Sequence, residues 1–125
     1  MTKRVLIAED EPNIVESLTF ILERAGFEVG VTTTGRQALV EAQTKTPDIL
    51  ILDVMLPEMD GYEVLRQLRA DPRTKTLPIL MLTAKGQRED RETAISCGAD
   101  MFVTKPFVNS DLIAAVNSLA GDGTA

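Results

Sequence analysis

Five side chains capable of polar chemistry stand at the ends of apolar runs in this 125-residue chain. Glu9 and Asp10 follow Val5-Leu6-Ile7-Ala8, and Asp53 follows Ile49-Leu50-Ile51-Leu52. Thr83 follows Ile79-Leu80-Met81-Leu82, and Lys105 follows Met101-Phe102-Val103-Thr104. If each run is a strand of one parallel sheet, the carboxyl ends share a rim, which is where such sheets bind ligands. Groups far apart in sequence then converge. Three carboxylates in one crevice repel one another, and without a cation at least one holds its proton more tightly. A hard divalent ion taking oxygen ligands removes that cost, and a small rim site suits Mg²⁺, which keeps several waters. A phosphoryl group on Asp53 would form an acyl phosphate, making the site about one charge unit more negative. Mg²⁺, Lys105 and the Thr83 hydroxyl could hold its oxygens, which is stabilisation by preplaced charge and donors. Taken singly, each residue has an ordinary reading. An aspartate at a strand end can cap a turn, and Glu9-Asp10-Glu11-Pro12 can open a helix whose dipole favours acids. The joint occurrence, each group after its own strand, carries the chemical reading.

The elements that must position these groups follow from periodicity. The continuous aliphatic run ending at Asp53 suits a strand buried on both faces. Pro12 suits the first position of a helix whose Ile14, Leu18, Ile21, Leu22 and Ala25 share one face, with Gly26 as its stop. Phe27, Val29 and Val31 alternate with Glu28 and Gly30, predicting an edge strand with one wetter face. A helix after Gly35 turns Ala38, Leu39 and Ala42 inward. Asp60 caps another that buries Tyr62, Val64, Leu65 and Leu68 and is broken by Asp71-Pro72-Arg73. The segment 88–96 reads as a charge-rich helix anchored only by Ala94 and Ile95, at the low-stability end of the fold. Cys97 reads as a small packed hydrophobe. Gly98 ends that helix, and a last one from Ser110 turns Leu112, Ile113, Val116 and Leu119 inward. Five strands alternating with five helices predict an α/β fold: a doubly wound parallel sheet with right-handed crossovers and helices on both faces. Residues 1–120 are expected to form one domain, and 121–125 a short tail.

Hydrophobic residues at 44% and charged residues at 26% are ordinary for a globular domain. A net charge of −6 argues against direct nucleic-acid binding, which calls for a basic face. One cysteine excludes an internal disulfide, and the lack of histidine excludes a histidine triad or a phosphohistidine on this chain. No run is long enough for a membrane span or a signal-peptide core, so a cytoplasmic protein with no membrane partner is expected.

The whole chain resembles a response-regulator receiver domain of two-component signalling. The resemblance lies in Val5-Leu6-Ile7-Ala8-Glu9-Asp10-Glu11-Pro12, Leu50-Ile51-Leu52-Asp53-Val54-Met55-Leu56-Pro57, Asp60-Gly61, Leu82-Thr83-Ala84, Gly98-Ala99-Asp100 and Thr104-Lys105-Pro106-Phe107. It implies the flavodoxin-like strand order 2-1-3-4-5 of chemotaxis receivers. It implies that Asp53 accepts a phosphoryl group from a phosphohistidine on a sensor histidine kinase or phosphotransfer protein. It implies that Asp10 ligates Mg²⁺ directly, that Glu9 acts through water, and that the Met55 carbonyl completes the set. Thr83 and Phe102 resemble the switch pair, Met55 and Lys85 the side chains that govern water access to the phosphoryl group. Lys105-Pro106 is expected to be cis. The implied consequence is a change in the last two helices and the strand between them that controls a downstream target or effector domain. Such a domain would catalyse only its own phosphorylation and dephosphorylation.

The chain departs from the family pattern in two places. Glu9 replaces the commoner aspartate. Local wording at Leu82–Gly86 and Glu89–Arg91 resembles receivers of winged-helix transcription factors, which dimerise through charge pairs. Here Met101 stands where an acid is usual, and the last helix, 110–119, carries no Lys or Arg. A monomer or a weak phosphorylation-dependent dimer is expected, and Arg91 with Asp111 could still pair. Two other classes fit the residues less well. An aspartyl phosphatase typically wants an acid two residues after the nucleophile, where Met55 stands. An interaction module without phosphorylation usually loses the acids.

Overall fold

The computed structural model describes residues 3–84 and 95–121. The strands are β1 (Arg4–Ala8), β2 (Glu28–Thr32), β3 (Ile49–Asp53), β4 (Ile79–Ala84) and β5 (Met101–Lys105). The helices are α1 (Pro12–Arg24), α2 (Gly35–Lys45), α3 (Gly61–Ala70) and, after β5, α4 (Asn109–Ala120). All strand pairs are parallel, in the order β2-β1-β3-β4-β5. Four helices lie among the described residues, against five expected from the sequence. The missing one falls in 88–96, outside the described residues except for Ile95 and Ser96, which are helical. Ile95 does not anchor that helix: it is 59% exposed. Cys97 is half-buried and does pack on the core.

The pleat explains why the sheet needs helices on both sides. Successive side chains point to opposite faces, and in β1 Val5 and Ile7 enter one core while Leu6 and Ala8 enter the other. Ile49 and Ile51 join the first and Leu50 and Leu52 the second. The first core is covered by Leu18, Ile21 and Leu22 of α1 with Leu112, Ala115 and Val116 of α4. The second is covered by Ala38, Leu39 and Ala42 of α2 with Val64, Leu65 and Leu68 of α3. Residues 49–52 are wholly buried, as a central strand enclosed on both faces requires.

Local signals set the helix ends. Pro12 opens α1 and Gly26 follows its end at φ +96°. Thr34 accepts a hydrogen bond from the Gln37 amide at the start of α2, as Asp60 does from the Glu63 amide, 3.0 Å away, at the start of α3. The edge strand β2 is wetter than its alternation predicts. Val31 is 42% exposed, because β2 pairs with β1 alone. Ala25 is exposed, and Ile14, Tyr62, Ile113 and Leu119 are half-buried rather than fully inward. No described helix is long and apolar enough to cross a membrane.

Gly61 is a tight link between frame and site. Its amide donates to the Val54 carbonyl at 2.8 Å, and a Cβ there would collide with the Asp53 carbonyl and stand 2.9 Å from Val54 Cα. Gly61→Ala is therefore expected to push α3 away from the end of β3 and to destabilise by about 1–3 kcal/mol, the cost of overpacking a tight site. Thermal unfolding of the purified variant checks this, and an unchanged Tm would contradict the packing.

Candidate functional site

The rim acids are positioned by strand parity. Glu9 stands two residues after Ile7, Asp53 two after Ile51, and Lys105 two after Val103. Ile7, Ile51 and Val103 all face the α1–α4 core, so the three polar groups arrive on that side of the same rim. Asp53 ends β3 and is 2% exposed, and Glu9, just past β1, is wholly buried. One oxygen from each of Glu9, Asp10 and Asp53 lies within 4.8 Å of the others. Lys105 Nζ reaches in from β5, 3.2 Å from Asp53 Oδ1 and 3.5 Å from Glu9 Oε1.

Lys105 forms an ion pair with Asp53 Oδ1, which has no other contact of this kind among the described residues. Thr83 Oγ1 is buried without a partner. Buried polar atoms are normally satisfied, and an unpartnered hydroxyl beside clustered carboxylates marks a place built for a further group. A hard cation that binds oxygen fits Asp53 Oδ1 and its acidic neighbours.

Glu9 bears the cost of this crowding. Its pKa is pushed from 4.5 up to about 7, chiefly by burial. The 3.0 Å bond that its Oε2 accepts from the Glu11 amide works against the rise, the Asp53 carboxylate adds to it, and Lys105 opposes it. Burial acts to lower the pKa of Lys105, but Asp53 and Glu9 outweigh it and hold the ammonium above its usual value.

The structure thus brings together Glu9, Asp10, Asp53 and Lys105. Thr83 sits on the neighbouring strand, two residues after Met81, whose parity faces the α2–α3 core. Phe102 is half-buried against that same core, directly opposite Met81 in the β4–β5 register. Thr83 and Phe102 therefore share a face. Met55 lies on the loop leaving β3 with its side chain 74% exposed. The Lys105–Pro106 peptide is cis. Lys85 and Arg91 lie outside the described residues. The amide of Glu11 was not among the groups singled out from sequence; as a backbone donor it leaves no side-chain signal there.

An enclosed parallel sheet with three acids and a lysine on its carboxyl rim defines a class of doubly wound domain with a cation-fitted polar site. Residues 5–117 match the response regulator receiver domain family, and the chain belongs to that family. It is 43% identical over 119 residues to the alkaline phosphatase synthesis transcriptional regulatory protein PhoP of Bacillus subtilis, covering 95% of this chain and 49% of that protein. The chain thus spans about half the length of the curated relatives it matches. Among solved structures, the chemotaxis response regulator CheY4 of Vibrio cholerae superposes with a TM-score of 0.88 at 32% identity, covering 95% of this chain and 99% of that one. The receiver domain of sensor histidine kinase PA1611 from Pseudomonas aeruginosa, solved with a magnesium ion coordinated in its active site cleft, gives 0.90 at 29% identity and covers 97% and 99% of the two chains.

The raised pKa of Glu9 links pH to stability with a definite sign. Between about pH 4.5 and 7 the folded chain holds a proton that the unfolded chain has released. Stability should therefore fall as pH rises through that window. In chelator-treated protein, Tm is expected to decline from the acidic to the neutral side, and Glu9→Gln to flatten that decline. The same slope in both proteins would exclude Glu9 as its source.

Proposed function

We propose that this domain is a phosphoacceptor switch of two-component signalling, with Asp53 the residue phosphorylated in a Mg²⁺-dependent reaction. The observation that carries the reading is the buried Asp53 carboxylate between Lys105 and the acids Glu9 and Asp10. The partner donating the group would be a sensor histidine kinase or a phosphotransfer protein. An Asp53 oxygen attacks the phosphorus, the new O–P bond forms as the donor's P–N bond breaks, and the imidazole leaves on the donor. Glu9, Asp10, Asp53 and the Met55 carbonyl would hold Mg²⁺, which when bound offsets the charge on the phosphoryl oxygens. The magnesium in the cleft of the PA1611 receiver supports that choice of ion.

Lys105 then exchanges its contact with Asp53 for the phosphoryl group, and Thr83 turns its unpartnered hydroxyl toward it. Movement of Thr83 vacates space on the face it shares with Phe102, and the ring follows inward. The surface formed by β5 and the helices flanking it changes as a result. That surface would act on a downstream protein or effector domain, and the transcriptional regulators among the relatives, about twice as long, favour an effector domain. The domain itself would not hold nucleic acid, would act in the cytoplasm as a monomer or weak phosphorylation-dependent dimer, and would turn over no external phosphate ester. The side chain two residues after Asp53 is Met55, which can neither donate nor take a proton for a leaving group.

Incubation with acetyl phosphate and Mg²⁺ is expected to add one phosphoryl group, read by intact mass, and Asp53→Ala is expected to abolish it. Incorporation that survives the substitution rejects the assignment. Met55 stands in solvent beside the site, where it can shield the acyl phosphate from water. Met55→Asn is expected to change the phosphoryl half-life severalfold, and an unaltered decay rate would remove Met55 from that role.

A further inference from the structure

Strand β5 carries Lys105 and Phe102 at one edge of the sheet. It pairs on one side only, with β4, and all five of its residues are merely half-buried. Register is weakly specified where no face of a strand is well buried, and a one-residue slip turns every side chain to the other face. Such a slip would take Lys105 away from Asp53 and Glu9.

The far end of the strand is fixed by a separate set of contacts. Arg69, in the last turn of α3, has a side chain 18% exposed. Its Nε donates to the Gly98 carbonyl at 2.8 Å, and its Nη2 to Asp100 Oδ2 at 2.9 Å. Its Nη1 donates to the carbonyls of Leu77 at 2.8 Å, Lys75 at 3.1 Å and Thr74 at 3.3 Å. The same Asp100 oxygen accepts the Ile79 amide at 2.8 Å, and the Asp100 amide donates to the Ile79 carbonyl at 3.0 Å. Ile79 opens β4 and Asp100 immediately precedes β5. One guanidinium therefore clamps the start of β4 to the entry of β5. The turn is shaped around it: Gly98 has φ +104°, and a Cβ there would stand 3.1 Å from Arg69 Cγ. Lys105 lies five residues along the strand from Asp100, about 16 Å at 3.3 Å per residue.

We propose that Arg69, acting through Asp100, is a positioning residue for Lys105: it seats β5 from the end opposite the carboxylates and so sets whether the ammonium reaches Asp53. This rests on the reading of Lys105 as a phosphoryl-binding group. A lysine at the position is not equivalent, because an ammonium lacks the planar fork that serves several acceptors at once.

Arg69→Met, Arg69→Lys and Asp100→Asn test this in the whole chain by three measurements. These are calorimetric Mg²⁺ binding, phosphoryl incorporation from acetyl phosphate at saturating Mg²⁺, and amide hydrogen exchange in the unphosphorylated protein. Mg²⁺ affinity is expected not to fall, since the acids stand on β1 and β3 and Lys105 competes with the cation. Incorporation is expected to drop, and exchange at Asp100 and the β5 amides to quicken, by about tenfold, the scale of a lost charge-assisted hydrogen bond. Amides of β1 and β3 should keep their protection, and Arg69→Lys should behave like Arg69→Met. Faster exchange in every strand, a parallel loss of Mg²⁺ affinity, or unchanged exchange in β5 would each overturn the proposal. Should Asp53→Ala still take up phosphate, the phosphoacceptor reading fails by itself, while the exchange pattern still decides the clamp.

Discussion

The burial of Glu9 and Asp53, two carboxylates held out of water side by side at the end of adjoining strands, is the constraint on which the rest of this molecule depends. Burial makes each negative charge costly, and proximity makes the pair costlier. The fold answers with the ammonium of Lys105, which stands 3.2 Å from one and 3.5 Å from the other. That answer is incomplete by design of the geometry: Glu9 holds its proton to about pH 7. A site left short of positive charge is responsive to a cation. It is equally responsive to a change in where Lys105 points.

Holding such a cluster in place requires a frame that does not relax. The wholly buried residues 49–52 and the two cores on either face of the sheet supply it at β1 and β3. The opposite holds at β5, where every side chain is half-buried. The acids stand on the enclosed centre of the sheet, and the lysine and the aromatic ring stand on a half-buried edge strand. The Arg69–Asp100 clamp holds that strand at the end away from the site.

Membership of the receiver family accounts for the shared frame, and the departures give this chain its own character. Glu9, one methylene longer than the usual aspartate, reaches toward Lys105 while its other oxygen takes the Glu11 amide. The second departure lies at β5, where Met101 opens the strand and the following helix α4 has no Lys or Arg.

Much of this was legible in the chain itself. Runs of aliphatic residues ended on Asp53, Thr83 and Lys105, and the helix faces of α1, α2 and α3 followed their apolar spacing, because burial of one stripe is what makes a short helix stable. Strand parity even fixes which polar groups share a face, since Glu9, Asp53 and Lys105 each stand two residues after a side chain of the same core. Val31 and Ile95 were less legible, because their exposure depends on what covers a strand edge and a helix face rather than on their own apolarity. The sequence by itself determined the elements, the rim and the identities of its acids, since these follow from local periodicity and side-chain chemistry. Only the tertiary structure decided that Lys105 is shared between Glu9 and Asp53, that Thr83 Oγ1 lacks a partner, and that Arg69 grips the entry to β5. Those contacts join residues 29 to 96 positions apart, and no local pattern encodes the few ångströms on which a hydrogen bond or an ion pair depends.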